Sequence, residues 1–141
     1  MIVNSFQIEK IITSTCEKEP SIVAAFIFGS YAKGKEKPSS DLDVALLLRD
    51  METIDFSPLH FATCLEKQLG VQVDVVILNS AGEALKFQIR RDGKLIFERS
   101  RRKRKLFEIK SRKHYEDFLY IHNKYVNKVL YRGFNGKSTP S

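Results

Sequence analysis

Apolar positions along the chain fall into two kinds of run, one with helical spacing and one continuous. Between residues 5 and 17, Phe6, Ile8, Ile11 and Ile12 recur at helical spacing, with Ser5 as a candidate N-cap. Pro20 separates this helix from "SIVAAFIF", residues 21–28, a continuous apolar run of strand length. "DLDVALLL", residues 41–48, predicts the next strand. "DMETIDFSPLH" holds turn formers and leads into a helix near 57 to 69, stopped by Gly70. "VQVDVVIL", residues 71–78, is a third strand rich in valine, and a helix follows from about Ser80 to Arg91. Asp92-Gly93 is a turn signal before "KLIFE", a short fourth strand. From about 101 to 131 the pattern is helical again, through Leu106, Ile109, Tyr115, Phe118, Leu119, Val126 and Leu130. The closing "RGFNGKSTPS", residues 132–141, is rich in Gly, Ser and Pro and reads as a flexible tail. No internal repeat is present.

Short apolar strands separated by helices predict a central sheet with helices packed on it, in the α/β (α+β) class. The expected organisation is a single domain over residues 1–131, with a core to about 98 and a long C-terminal helix over about 101–131. Periodicity does not encode the order of the strands.

Composition narrows the class. Of 141 residues, 43% are hydrophobic, enough for a real core. The formal charge of +7 is local: residues 99–105, "RSRRKRK", carry six positive charges and no acid, and without them the balance is +1. A uniformly basic nucleic-acid coat is therefore excluded, and direct nucleic-acid binding is not expected. Cys16 and Cys64 fit neither a disulfide framework nor a zinc spacing and read as reduced core thiols. No apolar run reaches ~18 residues and no signal-peptide core is present, so the expectation is a cytoplasmic protein with no membrane segment.

The acids change the picture most. Side chains alternate across a strand, so Asp41, Asp43, Ala45 and Leu47 share one face and Leu42, Val44, Leu46 and Leu48 the other. The D-x-D spacing sets two carboxylates side by side, roughly 6 to 7 Å apart at their Cα atoms. Asp74 interrupts a strand that is otherwise apolar. Such a pair alone also occurs as a turn cap, and Asp74 alone also fits an edge strand facing water. Three converging carboxylates would repel one another, and a divalent cation with a preference for hard oxygen ligands, such as magnesium, removes that conflict. Gly29-Ser30 closes the preceding strand. A strand ending in Gly-Ser before a tight turn offers backbone N–H groups and a hydroxyl to an anion. An anion cradle beside metal-binding carboxylates is what phosphoryl or nucleotidyl transfer requires.

Gly29-Ser30, ten residues, Asp41-Leu42-Asp43 and a later Asp74 together resemble the signature of the polymerase-beta-like nucleotidyltransferase superfamily. "RDGKLIFER" and "FEIKSRKHYEDFLYIHNKYV" look like the last strand and C-terminal helix of its minimal nucleotidyltransferases, so the likeness runs from about residue 8 to 131. Lys33 stands where these proteins often carry arginine, which keeps the charge and loses the bidentate fork. The resemblance implies a nucleotidyltransferase fold with a small mixed sheet flanked by helices. It also implies transfer of AMP from ATP to a hydroxyl. Asp41, Asp43 and Asp74 would then be the catalytic and metal-binding residues for two magnesium ions, and Gly29 and Ser30 would hold the nucleotide's phosphates. Many stand-alone members are antitoxins encoded beside a helical ribonuclease toxin of the HEPN class, so the implied partner is such a toxin in a hetero-oligomer, AMP passing to one of its tyrosines. Three rivals stay open: an antitoxin that only binds, an enzyme acting on a small molecule such as an aminoglycoside, and an RNA-tailing enzyme. The second usually carries a further domain, and about 40 residues after the fourth strand leave little room for one.

The remaining signals are weaker. The basic run over 99–105 reads as a solvated face, or as a patch for an acidic partner or RNA. His60, His114 and His122 are scattered, and none has an arginine five to seven residues upstream, so the R-x4-6-H site of the toxin class is absent from this sequence. Phe118 is expected in the core, while Tyr115, Tyr125 and Tyr131 fit either helix packing or an interface.

Overall fold

The computed structural model describes residues 4–37, 39–49 and 55–138, with side chains described as far as 130. Helix α1, Ser5–Glu17, precedes strand β1, Ile22–Phe28, and strand β2, Leu42–Leu48. Helix α2, Pro58–Leu69, leads to strand β3, Val73–Ile77, and a single 3-10 turn over Leu78–Ser80. Helix α3, Glu83–Asp92, strand β4, Lys94–Glu98, and helix α4, Arg101–Ser138, complete the order.

The strands form one sheet in the order β3-β2-β1-β4. β1 pairs antiparallel with both β2 and β4, and β2 pairs parallel with β3, so the sheet is mixed. The parallel step needs a crossover, which α2 supplies. Both central strands are buried on both faces, which is why they read as unbroken apolar runs rather than alternating ones. On one face α1 and α2 press Ile8, Ile12, Cys16, Leu65 and Leu69 onto Ala25, Ile27, Val44 and Leu46. On the other, α3 and α4 cover Phe26, Phe28, Ala45 and Leu47 through Ile89 and Phe107. Each fully buried leucine or isoleucine contributes about 1.5–3 kcal/mol, so this two-sided core is what holds the sheet.

Local signals set the element ends. The N-cap of α1 is Asn4, one residue before the expected Ser5. Asn4 and Gln7 form a reciprocal capping box, in which the amide oxygen of Asn4 accepts from the Gln7 N–H. Ser57 caps α2 with Pro58 at its first position, and Gly70 closes it at φ 74°. β3 is shorter than its apolar run because Leu78 begins the 3-10 turn. There Asn79 donates to and accepts from the backbone of Leu48, splicing the turn onto the end of β2. The helix expected from Ser80 begins at Glu83. At the C-terminus α4 continues to Ser138, through sequence that composition assigned to a flexible tail, while residues 139–141 lie outside the described residues. Phe118, expected in the core, is 42% exposed.

The basic run divides on inspection. The Arg99 guanidinium donates to the carbonyls of Ile22 at 2.9 Å and Cys16 at 2.8 Å, and to those of Glu17 and Glu19 at 3.3 Å. It therefore satisfies the open C-terminal carbonyls of α1 and joins that helix to the end of β4. Arg104 is held between Glu98 and Glu108. Arg101, Arg102, Lys103 and Lys105 are exposed. Charge-assisted bonds to backbone carry more than a solvated charge, so Arg99→Ala should lower the unfolding free energy by about 2 kcal/mol. Arg101→Ala should change it by less than about 0.5 kcal/mol. Chemical denaturation of both variants tests this, and equal losses would contradict the division of the run.

Candidate functional site

The site is built where β1 ends. Gly29 follows Phe28 with φ 76°, a left-handed conformation that a side chain resists. Three backbone bonds then close the turn: Lys33 N–H to Gly29 O, Gly34 N–H to Tyr31 O and Lys35 N–H to Ser30 O, the last at 2.9 Å. These bonds engage the N–H groups of residues 33 to 35, so those of Ser30, Tyr31 and Ala32 are not spent within the turn. The tight turn expected after Gly29-Ser30 is this one, with one helical i to i+4 bond.

Strand register then lines up the acids. Asp43 is the Cα partner of Phe28 on one side and of Asp74 on the other, so one row crosses the sheet from Phe28 through Asp43 to Asp74. Opposed residues on neighbouring strands lie roughly 5 Å apart and point to the same face. Asp41 stands just before β2, two residues from Asp43. Asp43 is half-buried, whereas Asp74 is exposed at the rim. A Cβ built on Gly29 would collide with the carboxylate Oδ2 of Asp43. Glycine is thus required twice, for its φ and for the approach of this carboxylate.

Electrostatics follow from that placement. The Asp43 carboxyl is pushed above the usual carboxylate range, first by burial and then by the charges of Asp74 and Asp41. The Tyr31 phenol is raised as well, by burial and then by Glu36 and Asp41. Three mutually repelling groups with hard oxygen donors fit a divalent cation in charge and in donor chemistry. As placed, no three His, Cys, Asp or Glu side chains among the described residues form a closed metal cage, so ligation by all three aspartates calls for side-chain rotation about a backbone already in register.

An ion pair near the mouth escaped sequence reasoning. Asp92 ends α3 and accepts from Arg91, at 2.7 Å for the shortest of three bonds. Its carboxyl is held below the usual range chiefly by that hydrogen bond, with smaller help from the charges of Arg91 and Lys33. The end of α3 lies at the same sheet end as the Gly29 turn, since β4 begins with Lys94 beside Ile27. In the sequence Asp92 reads only as a turn signal, and Lys33 as the position where similar proteins often carry arginine.

Other candidates lie elsewhere. The exposed part of the basic run sits in the first turn of α4, at the sheet end away from Gly29. The three histidines are not brought together among the described residues. A cavity of about 210 Å³ opens between the sheet, α3 and α4, lined by Phe26, Leu47, Arg90, Phe107 and Ser111 among others, with none of the three aspartates on its wall. No helix among the described residues is long and apolar enough to cross a membrane.

Comparison with known proteins bears on the same stretch. The family model described as polymerase beta, nucleotidyltransferase matches residues 9–102. The chain is 34% identical over 89 residues to the protein adenylyltransferase MntA of Shewanella oneidensis, a match covering 62% of this chain and 63% of that protein's length. Among solved structures, a chain of a toxin–antitoxin with AMP-PNP superposes with a TM-score of 0.74 at 26% identity, covering 86% of this chain and 98% of that one. A chain from the tri-AMPylated HEPN toxin of Shewanella oneidensis in complex with MNT antitoxin has a TM-score of 0.68 at 24% identity, covering 87% and 96%, a likeness of fold.

The contact between Gly29 and Asp43 predicts a coupling. Gly29→Ala should cost about 1–2 kcal/mol from backbone strain alone, and more while the Asp43 carboxylate remains. In a double-mutant cycle with Asp43→Ala the costs should therefore not add, and additivity within about 0.3 kcal/mol would remove the contact. The raised Asp43 pKa predicts a sign. A carboxyl whose folded pKa exceeds its unfolded value stabilises the fold only while protonated, and that stability is lost as pH rises through the folded value. In EDTA at neutral pH, Asp43→Asn should melt above wild type, with the gap closing as the pH falls through the raised pKa. A lower melting temperature for the variant at neutral pH would contradict the repulsion.

Proposed function

The chain belongs to the polymerase beta nucleotidyltransferase family, and from that premise we propose that it transfers AMP from ATP to a tyrosine of a HEPN-class ribonuclease toxin, acting as that toxin's antitoxin. The observation that carries the reading is the row Phe28–Asp43–Asp74, with the Gly29 turn closed against Asp43. It sets an anion cradle and a set of carboxylates at one end of one sheet. The likeness to an adenylyltransferase and to a toxin–antitoxin structure holding an ATP analogue supports the choice of nucleotide and acceptor.

The roles follow from position. Ser30 and the N–H groups of the turn hold the triphosphate, with Lys33 as a point charge beside it. Asp41, Asp43 and Asp74 would hold two magnesium ions, which supply neutralisation of the phosphate charge and activation of the acceptor hydroxyl when bound. Asp43, lying against Gly29, would be one of the residues that hold the metal neutralising the phosphate charge. Asp74, exposed at the rim, faces the acceptor and takes the phenol proton on a carboxylate oxygen. The phenolic oxygen bonds to the α-phosphorus, the bond from that phosphorus to the bridging oxygen breaks, and pyrophosphate leaves with the electron pair. The tyrosine carries AMP as a phosphodiester.

Intact-mass measurement after incubation of the chain, MgATP and a cognate HEPN-class toxin tests the reading. The toxin should gain whole AMP units and its ribonuclease activity should fall in step. Asp43→Asn should still bind the toxin but transfer AMP at least roughly 100-fold more slowly, the scale of losing one preorganised electrostatic group. A variant that protects RNA as well as wild type, with no mass change on the toxin, would mean inhibition by occlusion alone.

A further inference from the structure

Helices α3 and α4 run in the same sense across the sheet. β4 lies with Lys94 beside Ile27, next to the Gly29 turn, and Glu98 beside Ala24, at the far end. α4 starts at that far end, where Ser100 caps it and Arg104 is pinned to Glu98. By Tyr115 it has reached the later part of α3, where the Tyr115 ring stacks on Phe87 at 4.3 Å and 9°. α3 itself ends at Asp92, just before β4 begins beside Ile27. From Tyr115 onward α4 therefore projects toward and past the acid end of the molecule.

The face that α4 buries does not stop where the body stops. At 100° per residue, Ser111, Tyr115, Phe118, His122, Tyr125 and Val129 fall on one side of the helix. Ser111 is buried and Tyr115 half-buried. Phe118 is 42% exposed, Tyr125 66% and Val129 48%, with Ile121 beside them at 66%. Ring stacking carries the packed face outward, from Tyr115 to Phe118 at 6.2 Å and from Phe118 to His122 at 5.7 Å. This is an apolar, aromatic-rich stripe, the composition of an interface core.

Area decides what covers it. From Phe118 to Leu130 the helix is roughly 18 Å long, and a stripe ~10 Å wide along it offers on the order of 200 Å². A stable interface takes about 800 Å² per partner. Two copies pairing only through this stripe fall well short. A partner that also reaches over the adjoining acid mouth does not. The exposed charges of residues 110–130 are five cations, Lys110, Arg112, Lys113, Lys124 and Lys128, against Glu116 and Asp117. They call for an acidic rim on the partner's groove.

We propose that the exposed face of α4 from Phe118 to Val129 is the docking surface for the acceptor protein. That protein seats an acid-rimmed apolar groove on the helix and so presents its tyrosine to the Asp43–Asp74 row. This rests on the reading that a partner supplies the hydroxyl, and it adds the surface that brings the partner in.

The test uses the full chain with Ile121→Asp and, separately, Tyr125→Asp. Both positions are exposed, so circular dichroism and melting should match wild type. Calorimetry against a cognate HEPN-class protein should show affinity reduced about 30-fold or more, the loss of one hot-spot side chain. MgATP affinity should stay within about twofold, and AMP transfer should recover at high partner concentration, a change in KM rather than kcat. Unchanged partner affinity in both variants overturns the proposal. So does light scattering that finds a wild-type dimer broken by the variants while partner affinity holds, since the stripe then serves a second copy. If the variants lose the partner while wild type binds it without adding AMP, the docking surface stands and the transfer reading falls.

Discussion

Everything at the acid end depends on a carboxylate lying against a backbone that has no side chain. Asp43 can occupy its place only because Gly29 leaves a gap there, and Gly29 adopts its left-handed φ only because β1 must turn sharply at that point. The contact is unfavourable for an isolated carboxylate, since burial and two neighbouring aspartates both oppose its charge. The fold supplies the opposing force. Two apolar clusters on opposite faces of the sheet fix β1 and β2 in register, and the packing that holds them owes nothing to the acids themselves. The site is a cost met by a core built elsewhere.

The charges outside the site are divided with similar economy. A run of six cations over residues 99–105 invites one interpretation, but it holds at least two kinds of residue. Arg99 and Arg104 are structural, one closing the C-terminus of α1 and the other bridging β4 to α4. The rest face solvent at the opposite end from the aspartates. Net charge therefore says little about where a ligand of opposite sign would meet this protein, and the location of each cation says more.

Much of this was legible in the sequence. Continuous apolar runs located both central strands, helical spacing located α1 and the long α4, and the flanking turn formers with Gly70 located α2. The Gly-Ser turn and the D-x-D pair marked the site because both have a local reason, a positive φ and a two-residue period. Asp74 stood out as an acid in a valine strand, and its pairing with Asp43 needed the parallel register, which no local pattern fixes. The same limit hid the strand order and the Arg99 bonds to α1, since each joins residues far apart in the chain. Phe118 was misplaced for a related reason. Its helical position matches that of Ser111 and Tyr115, and only the length of α3 decides where the covered face ends.

The parallel pairing of β2 with β3 has a consequence for how a working site can arise at all. Because side chains alternate, sliding β3 by one residue would turn Asp74 into the apolar layer beneath α2 and bring Val73 or Val75 out to the rim. The tie between Glu66 and the Val73 N–H and the Asn79 splice to Leu48 would both be lost in that shifted state. A chain that misaligns the acids therefore also fails to close its core. Assembly of the carboxylate row and correct packing are one event, and a molecule that has folded has, by that fact, proofread its own site.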